Sequence, residues 1–254
     1  MKNPSQSVYL VTVKLLILLF SLCHGVASAK TQNQDTKQAL SSTKQKILIV
    51  VSSDQHGYWL PEVVEPYRIF AKSGFSVDIA SPKGGEGRAR GRLTNEDGIW
   101  YKKSLLAKQL VKSVPLHEVN ALQYSALYFA GGAGPMFDLV DNKQAQRVTR
   151  EIYEKGGYVA ADCHGPAALL NVRLSDGERL ISGKKLTAKA NIEEGSWARS
   201  NYPFLLEDKI AQLGGDYSSA GKGQEHVVVD GRVITGQNPA SAIPMAEALV
   251  KYLR

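Results

Sequence analysis

A cysteine followed directly by a histidine, Cys163-His164, stands at the end of an apolar run in YVAADCHGPAALL, residues 158–170. A thiol that yields its proton to a neighbouring imidazole becomes a thiolate, a strong nucleophile. Val159, Ala160 and Ala161 read as a buried strand, and Gly165-Pro166 before Ala167, Ala168, Leu169 and Leu170 reads as a helix start with proline in its first turn. A sharp strand-to-helix turn holds the side chain at its apex in the open and points new backbone N–H groups at it. The expectation is therefore a nucleophile elbow at Cys163, with an exposed and acidified thiol.

Other candidate groups carry less chemistry. His56, His117 and His226 lack the mutual spacing of a metal set and read as loop or surface histidines, so no metal and no cofactor is expected. Gly84, Gly85 and Gly87 are not followed by the Lys-Ser/Thr of a phosphate loop. Tyr58 and Trp59 could line a pocket mouth beside Glu62, whereas Trp100 and Trp197 are as easily core. The basic cluster Lys83, Arg88, Arg90 and Arg92 lies among glycines without interleaved aromatics, which reads as a solvated loop and not as a nucleic-acid surface.

The elements that must position Cys163 follow from periodicity. Residues 46–53 (KILIVVSS), 75–81 (FSVDIAS) and 125–132 (SALYFAGG) read as strands, the first and third as buried parallel ones. Between them lie a helix from about residue 61 to Gly74, a Gly/Arg-rich loop at 82–98, and a helix at 102–113. Pro66 implies either a kink in the first helix or a helix that starts only there. A helix at 142–155 leads into the cysteine strand; beyond it come short strands, a helix at 203–214, a hairpin at 225–236 turning on Asp230-Gly231, and a closing helix. Strands alternating with helices indicate an α/β fold with a doubly wound, mostly parallel sheet.

The N-terminus carries Lys2, an apolar segment interrupted by Lys14, and Ala27-Ser28-Ala29, which reads as an export signal at 1–29. The unbroken run from Leu15 to Cys23 is shorter than the ~20 residues of a comfortable span, so stable membrane insertion after cleavage is not expected. A retained anchor is the alternative. Cleavage would lower the formal charge from +7 to +5, remove Cys23, and leave Cys163 as a lone thiol in an exported protein, periplasmic or secreted. Residues 30–44 read as a flexible polar spacer, and 45–254 as a single domain.

AGGAGPMFDL, ADCHGPAAL, PFLLED and VVVDGRVITGQNPASA, in that order, resemble the PfpI superfamily of class I glutamine amidotransferase-like proteins, and within it the glyoxalase III and heat-shock-chaperone branch. The resemblance implies a flavodoxin-like sandwich and a site of Cys163, His164 and two carboxylates. The first is the glutamate four residues before a proline, Glu62 ahead of Pro66. The second follows the cysteine helix; Glu193 and Glu194 stand there, and the register from Gly183 favours Glu194. It also implies an oxyanion site at the backbone N–H groups of the Gly131-Gly132-Ala133 turn and of His164. Ala133 stands where the branch has a histidine, so backbone donors remain and a side-chain base is absent. The implied activity is conversion of a small reactive carbonyl, methylglyoxal, to lactate without glutathione. Amide, peptide or isonitrile hydrolysis at the same site, or a stress role as chaperone or oxidant sensor, are the alternatives, with a homodimer as a conceivable partner arrangement.

Overall fold

The computed structural model describes residues 45–254; the export-signal and spacer expectations lie outside the described residues. Seven strands form one sheet: β1 (Lys46–Val50), β3 (Ser76–Ser81), β5 (Val114–Pro115), β6 (Ala126–Phe129), β7 (Tyr158–Asp162), β10 (Val227–Asp230) and β11 (Val233–Gly236). Their order is β10-β11-β7-β6-β1-β3-β5. Every pairing is parallel except the β10–β11 hairpin. Both faces are covered, which is why the central strands are apolar throughout.

Strand alternation sorts the core into two layers. Leu48, Val50, Leu127, Phe129, Val159 and Ala161 face one side, with helix α5 (Lys143–Glu154). Ile47, Ile49, Tyr128 and Ala160 face the other, where α1 (Pro61–Lys72) packs against α8 (Ala242–Leu253). The chain runs from β1 outward to β3 and then returns to β6 on the other flank of β1. The carboxyl ends of β1, β6 and β7 therefore meet at the switch point where such sheets bind ligands.

Three local expectations are corrected. The helix expected at 102–113 is two, α2 (Asn95–Lys103) and α3 (Leu105–Val111), broken at Ser104, whose backbone is extended. Thr94 starts α2 by accepting the Asp97 N–H, so the last part of the 82–98 loop is helical. The remainder is tied down: β4 (Ala89–Arg90) pairs with β2 (Tyr58–Trp59). Finally, the element after the cysteine is a short 3-10 turn, Gly165–Leu169, and not an α-helix. Gly165 sits so close to the sheet that a Cβ there would lie 2.4 Å from the Phe129 carbonyl oxygen.

Pro66 does not delay α1, which starts at Pro61 and runs on through it. Proline lacks the N–H that would bond the carbonyl four residues back, that of Glu62. The Tyr128 hydroxyl donates to that carbonyl instead, at 3.0 Å. The orphaned acceptor is thus satisfied by β6, and the first turn of α1 is fixed over the strand's end.

Candidate active site

Cys163 follows the last residue of β7 with φ of 56°, the one non-glycine positive φ among the described residues. Such a conformation persists only where the surroundings impose it. Here both backbone groups are held: the Cys163 N–H donates to Gly236 O at 3.0 Å, and its carbonyl accepts from the Lys189 N–H at 2.8 Å. The sharp turn expected from the sequence is present.

The thiol itself differs from the expectation. It is buried, 5% exposed, and not open at an apex. Burial first, and the Glu62 charge second, push it well above its ordinary value, while Lys189 and the Gly132 N–H oppose the rise. The physical reason is burial, with the charges of Glu62 and Asp162 adding to it, while the short 3-10 turn supplies little of a helix N-terminal field.

His164 Nδ1 lies 3.4 Å from the Cys163 sulfur, and its Nε2 lies 2.8 Å from Glu194 Oε1. Both side chains of that second pair are nearly inaccessible. The structure thus places thiol, imidazole and carboxylate in series, the order that lets a histidine take a thiol proton while an acid holds the resulting cation. Glu193 points elsewhere: it accepts from Asn238 Nδ2 at 2.9 Å and from the Gly223 N–H at 2.7 Å. Glu194→Gln keeps the shape of the relay but not its charge; kcat is expected to fall about 10²–10³-fold with KM little changed, read from turnover across a pH series.

Glu62 is wholly buried in the first turn of α1. Neither carboxyl oxygen has a conventional hydrogen-bond partner among the described residues. Desolvation raises its pKa to about 8, against the opposing pull of the Cys163 thiol, Lys189 and the Gly131 N–H. It is therefore a carboxylic acid at neutral pH. Gly131 is the spacer that lets acid and thiol share this volume: a Cβ there would lie 2.4 Å from Glu62 Oε2 and 2.6 Å from Cys163 Cβ.

The Gly131-Gly132-Ala133 turn is pinned from outside. Trp59 N–H donates to Gly131 O at 3.0 Å, and Gly134 N–H donates to Gly57 O at 2.7 Å. Gly132 has φ of 100°, and a Cβ on it would strike the Tyr58–Trp59 backbone at 2.5 Å. Among the described residues neither the Gly132 nor the His164 N–H has a carbonyl partner; the Gly132 N–H instead meets the Cys163 sulfur, beside which an oxyanion would form. Ala133 is half-buried and precedes the short helix α4 (Pro135–Asp138). Trp59 contributes its backbone to this turn, while its ring lies against Gly91.

Several neighbours escaped the sequence reading. His56, expected as a loop or surface histidine, is held by Asp54 at 2.6 Å and stacks on Phe137 with ring centroids 4.2 Å apart. Trp197 lies 5.5 Å from the His56 ring and 5.6 Å from that of Tyr202, whose edge meets the His164 ring at 5.1 Å. Trp197 is 48% exposed and so belongs to this aromatic rim, not to the core. Asp162 and Lys189 were passed over as parts of strands. No single spacing links the rim residues, because three separate segments bring them together. Among the described residues no group of three or more His, Cys, Asp or Glu side chains is arranged to hold a metal ion, and no helix is long and apolar enough to cross a membrane.

A parallel sheet carrying a cysteine on a strained turn, with an adjacent histidine–carboxylate pair and a buried glutamic acid, defines a thiol-centred α/β protein of the nucleophile-elbow kind. The chain belongs to the DJ-1/PfpI family, whose description matches residues 45–252. It is 32% identical over 212 residues to a glutathione-independent glyoxalase of Saccharomyces cerevisiae, covering 78% of this chain and 90% of that one. It is 28% identical to glyoxalase 3 of Candida albicans, over 76% of this chain and 88% of the relative. Among solved structures it is similar to the Rapid Encystment Protein 24 KDa of Francisella tularensis, with a TM-score of 0.78 and 33% identity, covering 83% and 99% of the two chains. The Candida albicans glyoxalase III structure gives a TM-score of 0.74 at 26% identity, covering 82% and 96%.

Proposed function

We propose that this protein converts small 2-oxoaldehydes, methylglyoxal first among them, to 2-hydroxy acids without glutathione, using Cys163 as nucleophile. The observation that carries this reading is the convergence on one cysteine of His164, paired with Glu194, and of the buried Glu62 carboxyl across Gly131. Its relatives named as glutathione-independent glyoxalases support the same chemistry.

The Cys163 sulfur adds to the aldehyde carbon, its proton passes to His164 Nδ1, and Glu62 protonates the former aldehyde oxygen. The product is a hemithioacetal. The Glu62 carboxylate then removes the hydrogen from that carbon, and His164 protonates the neighbouring ketone oxygen, which gives an enediol. Glu62 returns its proton to the neighbouring carbon while the hydroxyl proton on the sulfur-bearing carbon goes back to His164. A 2-hydroxyacyl thioester results, and water cleaves it to lactate and free thiol. The Gly132 and His164 N–H groups hold the oxygen wherever it carries negative charge.

The test is lactate formation from methylglyoxal by purified protein in the absence of any thiol cofactor, alongside a panel of amides, peptides and isonitriles. Lactate as the dominant product supports the reading; hydrolysis of the panel with no lactate replaces it by a hydrolase at the same site. The buried, raised thiol weighs against selective oxidation as the main role. We also propose export, which N-terminal sequencing of the secreted or periplasmic protein tests by a chain beginning at Lys30.

A further inference from the structure

The strained backbone of Cys163 is held by two hydrogen bonds that reach different parts of the chain. Its N–H donates to Gly236 O at the end of β11, at 3.0 Å, and its carbonyl accepts from the Lys189 N–H, at 2.8 Å. A φ of 56° lasts only while both partners stay in place. Neither partner belongs to a long element. Gly236 ends a four-residue strand, and Lys189 lies between β8 (Lys185–Leu186) and the 3-10 turn Asn191–Glu193. The two segments therefore need a further tie to keep their spacing.

Glu193, passed over in favour of its neighbour as the acid of the site, supplies that tie. Its side chain is 3% exposed. Oε1 accepts from the side-chain amide of Asn238, two residues beyond Gly236, at 2.9 Å, and Oε2 lies 3.4 Å from Lys189 Nζ. The connections close into a ring: from the Cys163 N–H to Gly236, along the chain to Asn238, across to Glu193, on to Lys189, and back to the Cys163 carbonyl. Asn238 is itself fixed, since it is 1% exposed, donates to Gln224 O at 2.7 Å and accepts from Ser241 Oγ at 3.2 Å. The Gly223 N–H donates to Glu193 Oε1 as well, at 2.7 Å. Burial acts to raise the Glu193 pKa, but the Gly223 N–H, the Asn238 amide and Lys189 outweigh it and leave the group below its ordinary value. Glu193 is thus a carboxylate at neutral pH, and the residue after it, Glu194, is the one that holds His164.

We propose that Glu193 is a positioning residue for the nucleophile: by clasping Asn238 and Lys189 together it fixes the two segments that impose the backbone angle of Cys163, and so the direction in which the sulfur meets His164. The inference rests on the proposed role of Cys163 as nucleophile. None of the polar contacts of Glu193 is to the sulfur, so it acts through the residues it joins. Glutamine at this position keeps the volume and can still accept from Asn238. Its amide cannot pair with the Lys189 ammonium, which opens the ring at one link. The turn then relaxes toward ordinary backbone angles, swings the thiol away from the imidazole and exposes it to solvent.

The experiment compares wild type with Glu193→Gln, well below the melting temperature of either. It reads kcat and KM for lactate formation from methylglyoxal, and the rate at which iodoacetamide alkylates Cys163, followed by the mass of the peptide that carries it. In Glu193→Gln kcat is expected to fall about tenfold with KM unchanged, and alkylation to become about tenfold faster. A carboxylate with a structural role alone would lower the melting temperature and leave both rates as they are. An alkylation rate within about twofold of wild type overturns the proposal, as does a loss confined to KM. Should Glu193→Gln not fold, Asn238→Ser, which opens the ring at its other link, decides by the same readings. Alkylation needs no substrate, so the two readings fail separately. A wild-type protein that makes no lactate, beside a Glu193→Gln protein that is alkylated faster, defeats the glyoxalase reading and leaves the clasp standing. Lactate from both proteins at one rate, with alkylation unmoved, does the reverse.

Discussion

Replacing Cys163 with alanine is expected to reduce lactate formation from methylglyoxal by at least about 10³-fold, to the level of the uncatalysed reaction. The expectation is large because the sulfur is the atom on which every other feature converges. His164, Glu62 and the Gly132 N–H all face it, and the Lys189 charge favours its thiolate. None of these groups can form the carbon–sulfur bond that starts the sequence. The substitution also separates activity from fold. Alanine at a φ of 56° retains the strain, and a buried thiol loses little packing when shortened by one atom, so the melting temperature should move by only a few degrees. Lactate production at the wild-type rate by Cys163→Ala would remove the thiol from the mechanism altogether.

Glu62→Gln is expected to move activity and stability in opposite directions. Glutamine fills the same volume but cannot shuttle a proton, so kcat should fall about 10²–10³-fold. Stability should rise, and the sign follows from linkage. Burial pushes the Glu62 carboxyl up to about 8 in the folded protein, from an ordinary value of 4.5. A carboxyl raised in this way binds its proton more tightly when folded. The folded state is therefore favoured most below about pH 4.5, and that advantage is lost progressively as pH climbs through the window up to about 8. Glutamine has nothing to titrate. The variant's melting temperature should accordingly exceed that of wild type by a margin that grows between pH 5 and 8, to the order of 5 °C at the upper end. Calorimetry at three pH values checks it; a margin that shrinks with rising pH contradicts the buried-acid assignment.

Much of this arrangement was legible before any coordinates. Apolar β-branched runs marked the inner strands, and Asp230-Gly231 marked the hairpin, because buried parallel strands and two-residue turns each demand a narrow set of residue types. Cys163 and His164 are adjacent in sequence. Glu62 and Glu194 were reachable through a family pattern and not through chemistry, since a first-turn glutamate and an acidic pair look the same whether solvated or buried. What stayed hidden lies in contacts between distant segments. Asp162 reads as the polar end of a strand until Gly236 is seen opposite it, and the rim of His56, Phe137, Trp197 and Tyr202 has no single spacing. The state of the thiol was misjudged for a related reason. Strand-to-turn chemistry predicts a field at the cysteine, but the carboxyls that oppose it arrive from α1 and from the preceding residue's own side chain. The Thr94 cap was visible as a threonine with an aspartate three places on, yet the glycine-rich surroundings masked it.

Pro66 carries no functional group and touches no reacting atom, yet the site depends on what it lacks. By withholding an N–H from the Glu62 carbonyl it leaves a vacancy that only the Tyr128 hydroxyl fills, and so fastens α1 to the strand beneath it. Anyone seeking a hardier version of this protein would be drawn to mend that helix with alanine, the usual repair for an internal proline. The mended helix would supply its own hydrogen bond and release Tyr128. The sturdier protein would then have a loosened joint at the one place where its acid and its sulfur must stay in register.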